Sequence, residues 1–172
     1  AVQSAIAGAE RIFTILDTKP TITNKPDAVT LKEETVKGDI VFDHVSFGYE
    51  PGKLILKDIS FTAKQDEVIA IVGTTGAGKT TIINLLTRFY DINSGSIKVD
   101  GIDIRDITKE SLRDQMGIVL QVPFLFSDTV NYNVSYGWPA ATQEEIINAS
   151  KAANAHNFIE RLPQGYDSEI LR

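Results

Sequence analysis

The sequence predicts an α/β fold, and three adjoining features predict it. Val68-Ile69-Ala70-Ile71-Val72 is a continuous apolar run of strand length, the pattern of a strand buried on both faces. Directly after it comes the glycine-rich string Gly73-Thr74-Thr75-Gly76-Ala77-Gly78-Lys79-Thr80. Ile82, Ile83, Leu85, Leu86 and Phe89 then return at helical spacing. Strand, loop and helix thus follow in the order that phosphate binding needs.

The other elements are read around this centre. Val2, Ile6, Ala9, Phe13 and Leu16 form a helical stripe over residues 1–16, with no evident surface to pack on. Residues 17–37 shift to Thr, Pro, Lys and Glu without periodicity and read as a linker. From Gly38 the chain becomes a domain. Phe42, Val45, Phe47 and Tyr49 suggest one strand with a local irregularity, and Leu54 to Ala63 a second, across the Pro51-Gly52 turn. Ser94-Gly95 turns into a strand through Ser96 to Val99, and a short helix near Lys109 to Arg113 precedes an apolar strand from Gly117 to Leu120. From Gln143 onward Ile146, Ile147, Ala149, Ala152, Ala153, Phe158 and Leu162 mark mainly helical chain.

Composition removes several function classes. The chain has 172 residues, 42% of them hydrophobic, enough for a substantial core. A net charge of -6 argues against a broad nucleic-acid contact, which needs a basic surface to displace phosphate counterions. With no cysteine and two histidines there is no disulfide, thiol nucleophile or His/Cys metal cluster, and an intracellular setting fits. No run reaches the ~18 apolar residues of a membrane span, and no basic-then-apolar secretory leader opens the chain. The glycosylation-type strings at Asn133-Val134-Ser135 and Asn148-Ala149-Ser150 are read as chance.

In the glycine-rich string, Gly73, Gly76 and Gly78 permit backbone conformations closed to residues with a Cβ, so that amide groups converge on an anion with Thr74, Thr75 and Ala77 between them. The helix that follows adds its positive N-terminal end. Lys79 supplies a charge for the β- and γ-phosphates, Thr80 a hydroxyl for bridging Mg²⁺, and Thr81 support at the α-phosphate. Asn24-Lys25-Pro26-Asp27 matches a guanine-reading string, but it precedes the loop where such a string should follow it. Adenine, accepted by stacking on an aromatic face, is the better expectation.

At this point the whole chain resembles the ATP-binding cassette domain of exporter-type transporters, in its N-terminal part. Val41-Phe42-Asp43-His44-Val45-Ser46-Phe47-Gly48-Tyr49 is similar to the family's opening strand, whose closing tyrosine stacks on adenine, a role that falls on Tyr49. Ile55 to Phe61 and Ser94 to Ile104 resemble two further family stretches. Ile118-Val119-Leu120-Gln121 looks like the segment that ends in the glutamine touching metal and attacking water, so the resemblance gives Gln121 a catalytic role beside Lys79 and a metal role beside Thr80. Pro123 to Val130, with Asn133, resembles the socket for a membrane-domain helix, where Phe124, Leu125 and Phe126 would be exposed anchors. Ala9 to Asp17 resembles the junction leading out of a last membrane helix, and Leu162 to Asp167 the stretch before the signature motif. Departures from the pattern are Gln65-Asp66 in place of a common Pro-Gly turn, Val122 where an acid is frequent, and Thr74 where proline is frequent.

The resemblance implies a P-loop NTPase core with an antiparallel β subdomain, ending before the signature motif. The expected organisation is the tail of a membrane-domain helix over 1–16, a linker over 17–37, and a partial nucleotide-binding domain over 38–172. ATP and Mg²⁺ are the expected ligands. The membrane domain of the same chain and a second nucleotide-binding domain, head to tail, are the expected partners, at the cytoplasmic face of the membrane. The signature loop, the acidic strand end and the switch histidine are expected beyond Arg172; Asp43, His44 and His156 do not fit those roles. These residues alone are therefore expected to bind ATP without turning it over. The rivals are a regulatory module that binds ATP and never hydrolyses it, and a soluble phosphate-loop kinase. Tyr49→Phe is expected to be nearly silent, because stacking uses the ring face alone.

Overall fold

The computed structural model describes residues 2–170, and the side chains of all of these except 2–5 and 7. Ala1, Leu171 and Arg172, at the ends of the expected domains, and the Val2 side chain in the helical stripe lie outside the described part. The chain forms two compact units, the first running to Gly117 and the second starting at Ile118.

The first unit is built on an antiparallel sheet of β1 (Ile40–Phe47), β2 (Leu56–Ala63), β3 (Ser94–Val99) and β4 (Ile102–Asp103), in the order β2-β1-β3-β4. The irregular spacing of Phe42, Val45 and Phe47 has a simple cause. Phe42 pairs with Phe61 and Val45 with Ile59, so β1 carries one extra residue across that interval, and His44 takes a φ of +49° there. The bulge restores all three apolar side chains to one buried face. β2 answers with its own bulge: Phe47 pairs with Leu56 and Val45 with Ile59, with Asp58 at φ +54° between them. Phe42 stacks on Phe61 with ring centroids 4.5 Å apart.

Onto this sheet pack α2 (Lys79–Leu86), through Ile82 and Leu85, and the segment around α3 (Lys109–Asp114), through Ile104, Ile107 and Leu112. α1 (Val2–Leu16) leaves Ile6, Ile12, Phe13, Ile15 and Leu16 exposed, as a stripe without a packing surface should. The turn at Gln65-Asp66 works without glycine, because Asp66 accepts a φ of +61°, a region that short polar side chains visit more readily than most.

Residues 17–37 hold no long element, yet many of them are tied down. Val29 forms a parallel bridge with Ile107, receiving Thr108 N–H on its carbonyl at 2.9 Å and donating to Asp106 O at 2.7 Å. The Asn24 side chain accepts from Lys109 N–H at 2.9 Å and donates to Glu110 at 2.7 Å, while Lys25 pairs with Asp106. The guanine-like string thus has a structural use. Asp100 accepts the N–H groups of Lys37 and Asp39 at 2.8 and 2.9 Å.

Two expected strands are not formed. Residues 68–72 join no ladder, and Val68 and Val72 are 95% and 92% exposed. Residues 117–120 likewise join none, with Val119 98% exposed. A strand meant for burial on both faces needs neighbours on each side, and none of the described residues pairs with either run.

The second unit consists of α4 (Val130–Ser135), α5 (Gln143–Ala152) and α6 (His156–Ile159), around buried Val130, Ile146 and Ile159. α5 opens on a capping box: the Thr142 hydroxyl accepts from Glu145 N–H, and the Glu145 carboxylate accepts from Thr142 N–H. α4, which the periodicity did not predict, starts where the Thr129 hydroxyl accepts Tyr132 N–H at 3.0 Å.

Candidate functional site

The loop before α2 is shaped by two glycines and a lysine. Gly76 and Gly78 hold φ values of +83° and +91°. Gly78 is also needed for space, since a Cβ there would stand 2.7 Å from Leu56 Cδ2 and 3.1 Å from Ile55 Cγ2. Ala77 N–H donates to Thr74 O at 3.2 Å, whereas the N–H groups of Gly76, Gly78, Lys79 and Thr80 meet no backbone acceptor among the described residues. The start of α2 therefore carries free amides and a positive dipole end, an arrangement that suits an anion. Lys79 folds back over this loop, its Nζ donating to Gly73 O and Thr74 O, each at 2.8 Å. Two of the three ammonium protons are used, which leaves one for a ligand. Residues 73–81 contain no acid, so the loop is locally positive in a chain of net charge -6.

Tyr49 reaches the same place from the β1–β2 hairpin. Gly48 N–H donates to Asn93 Oδ1 at 2.8 Å, and a Cβ on Gly48 would come within 2.0 Å of Lys53 O, so only glycine lets the hairpin close. The Tyr49 ring meets Phe47 and Tyr90 nearly perpendicularly, at 5.0 and 4.9 Å, and the residue is 44% exposed. Its hydroxyl donates to Thr81 Oγ1 at 3.3 Å and accepts from Asn84 Nδ2 at 3.2 Å. Thr81 is buried, whereas Thr74, Thr75 and Thr80 are exposed.

The structure thus brings Tyr49 together with residues 73–81. Gln121 belongs to the second unit, exposed and outside any helix or strand. Of the expected apolar anchors, Phe124 and Leu125 are exposed. Phe126 is not: it is half-buried, stacked on Tyr136 at 4.3 Å, and its N–H donates to Asn133 Oδ1 at 2.7 Å. The Asn133 amide also donates to Phe126 O and Thr129 O, so this asparagine serves the local fold.

Sequence reasoning missed Asn84, Tyr90 and Arg88. A lone amide within Ile82-Ile83-Asn84-Leu85-Leu86 was the available signal for the first. Nothing distinguished Arg88, which is 3% exposed at a φ of +52°. It donates to Thr23 O at 3.3 Å and to Ile104 O and Ile107 O at 3.4 Å, and pairs with Asp91 at 3.0 Å.

Gly73 to Thr80 has the Gly-x-x-x-x-Gly-Lys-Thr spacing of a phosphate-binding loop and runs directly into α2. The family model described as "ABC transporter" matches residues 56–170. A Bacillus subtilis protein named "Uncharacterized ABC transporter ATP-binding protein YfiC" is 52% identical over 98% of this chain and 28% of its own length. The "ATP-dependent lipid A-core flippase" of Syntrophus aciditrophicus is 47% identical over 98% of this chain and 28% of its own. Among solved structures, "Structure of a bacterial Atm1-family ABC exporter with ATP bound" superposes with a TM-score of 0.87 at 41% identity, covering 98% of this chain and 30% of that one. The chain belongs to the ABC transporter family. It spans under a third of the length of these relatives.

Proposed function

We propose that this chain binds ATP with Mg²⁺ as the nucleotide-binding part of an exporter that couples ATP binding and hydrolysis to transmembrane export. The observation that carries the reading is Lys79, held by two loop carbonyls with a proton to spare, at the amide-rich start of α2 and close to an exposed tyrosine ring. The donor set fits a magnesium triphosphate: an ammonium, free amides and the Thr80 hydroxyl, which has no protein partner among the described residues. Lys79 neutralises phosphate charge, residues 73–78 cradle the phosphates with their backbone, Thr81 supports the α-phosphate side and Tyr49 stacks on the base. Thr80 would hold the metal, which would offset charge on the β- and γ-phosphates, and the resemblance gives Gln121 a metal role as well. Gln121 also orients the attacking water.

That these relatives are an exporter and a flippase of greater length supports a membrane domain in the same chain, and the family resemblance implies a second, head-to-tail nucleotide-binding domain. The site then works at the cytoplasmic face of a membrane. None of the described helices is long and apolar enough to cross one. Residues 1–172 by themselves turn over ATP negligibly, because the resemblance places the carboxylate that polarises water outside them.

Calorimetry of Mg-ATP binding to the complete protein tests the assignment. Lys79→Ala should weaken affinity about 10- to 100-fold, the worth of a hydrogen bond to a charged group, with little change in melting temperature. Equal affinity at matched folding would overturn the reading, and phosphate release by residues 1–172 that depends on Lys79 would overturn the claim of negligible turnover.

A further inference from the structure

We propose that Asn84 is a positioning residue for nucleotide recognition, acting through the Tyr49 hydroxyl to hold the ring where a base stacks. The inference rests on the reading of Tyr49 as the base-stacking residue. Three side chains form a directed chain: Asn84 Nδ2 donates to Tyr49 OH at 3.2 Å, and Tyr49 OH donates to Thr81 Oγ1 at 3.3 Å. The Tyr49 oxygen accepts one hydrogen bond and gives one. Thr81 only accepts, so its own proton stays free.

The contrast with Thr87 is instructive. That hydroxyl, on the residue capping the C-terminal end of the same helix, donates back to Ile83 O at 3.0 Å, whereas the buried Thr81 hydroxyl donates to no acceptor within the described residues. A buried donor of this kind seeks a partner. A phosphate oxygen would supply it without disturbing the link to Tyr49. The relay therefore ties base stacking to the phosphate loop, since the hydroxyl that locates the ring sits on the residue that follows Lys79-Thr80.

Two rings complete the clamp. Phe47, buried in the core, and Tyr90 stand nearly perpendicular to the Tyr49 ring, and neither contact fixes its rotation at the hydroxyl end. Asn84 and Thr81 do so. The geometry accordingly gives the hydroxyl a use that ring-face stacking alone does not have, and the phenylalanine variant should not be silent.

The test compares Mg-ATP with Mg-tripolyphosphate, which has the phosphates and no base, by calorimetry on the complete protein. Tyr49→Phe and Asn84→Ala should each weaken ATP about three- to tenfold, the factor one neutral hydrogen bond supplies, and leave tripolyphosphate unchanged. The double variant should be no weaker than Tyr49→Phe, because loss of the hydroxyl already removes the link to Asn84. Wild-type ATP affinity in both single variants, with Tyr49→Ala impaired, overturns the role of Asn84 and spares the base-stacking reading. Wild-type affinity in Tyr49→Ala as well overturns both. Equal losses for ATP and tripolyphosphate in Asn84→Ala, or additive losses in the double variant, would show a general packing role and overturn the proposal.

Discussion

Replacing Gly78 by alanine should damage the first unit far more than the same change at Gly76, although both glycines hold nearly the same backbone angle. With φ at +83° and +91°, each substitution strains the backbone by about 1–2 kcal/mol, less about 0.4–1 kcal/mol gained from stiffening the unfolded chain. At Gly76 the new methyl meets nothing within 4 Å. At Gly78 it lies 2.7 Å from Leu56 Cδ2, and Leu56 is only 3% exposed, so it cannot retreat into solvent. Overpacking of that kind adds about 1–3 kcal/mol. We expect losses of about 1 kcal/mol for Gly76→Ala and about 2–4 kcal/mol for Gly78→Ala. The assay is urea unfolding followed by circular dichroism, with amide exchange in β1 and β2 to report on the first unit. Trp138, the single tryptophan, lies in the second unit and would miss the effect. Equal losses in the two variants would refute the claim that α2 is seated against β2 through Gly78.

Arg88→Met should cost about 2–4 kcal/mol, since it strips a donor from three carbonyls and a charge from the half-exposed Asp91; exchange should quicken at Val29 and Thr108, and unchanged exchange there would refute the tie between Arg88 and residues 22–31. Stability should also fall in acid. Burial alone would raise the Asp103 pKa, but hydrogen bonds from the Arg105 side chain and backbone, with its charge, bring it below its ordinary value of 3.8. A lowered folded pKa means stabilisation present above pH 3.8 and lost as pH falls through the folded value. Asp39, lowered first by Gln65 N–H, acts in the same direction. Asp103→Asn should flatten this acid limb in melts followed from about pH 5 downward, and an unaltered limb would refute the assignment.

Much of the site was legible because it is local in sequence. Glycines at set spacing, a lysine and a threonine at a helix start specify a phosphate loop whatever surrounds them, since backbone angle and dipole are properties of a few adjacent residues. The odd spacing of Phe42, Val45 and Phe47 likewise announced a local irregularity, which the structure resolves as a bulge, because side chains alternate along a strand and an extra residue returns them to one face. Composition is silent about the ties of residues 17–37, which run to Asp100, Asp106, Lys109 and Ser111. Those partners lie tens of residues away, and no local pattern encodes them.

The apolar runs at 68–72 and 117–120 show the opposite limit. Their composition states what environment they require, whereas strand formation needs hydrogen-bonding neighbours, which none of the described residues supplies. The sequence by itself determined the phosphate loop, the irregular strand that leads to Tyr49 and the resemblance to exporter ATP-binding domains. Only the tertiary structure decided that Arg88 is a buried hub and that the Tyr49 hydroxyl joins Asn84 to Thr81. The reason is physical: loop conformation and helix polarity arise between neighbours in the chain, while a side-chain hydrogen bond across 32 or 65 residues exists only once packing has brought its ends within about 3 Å.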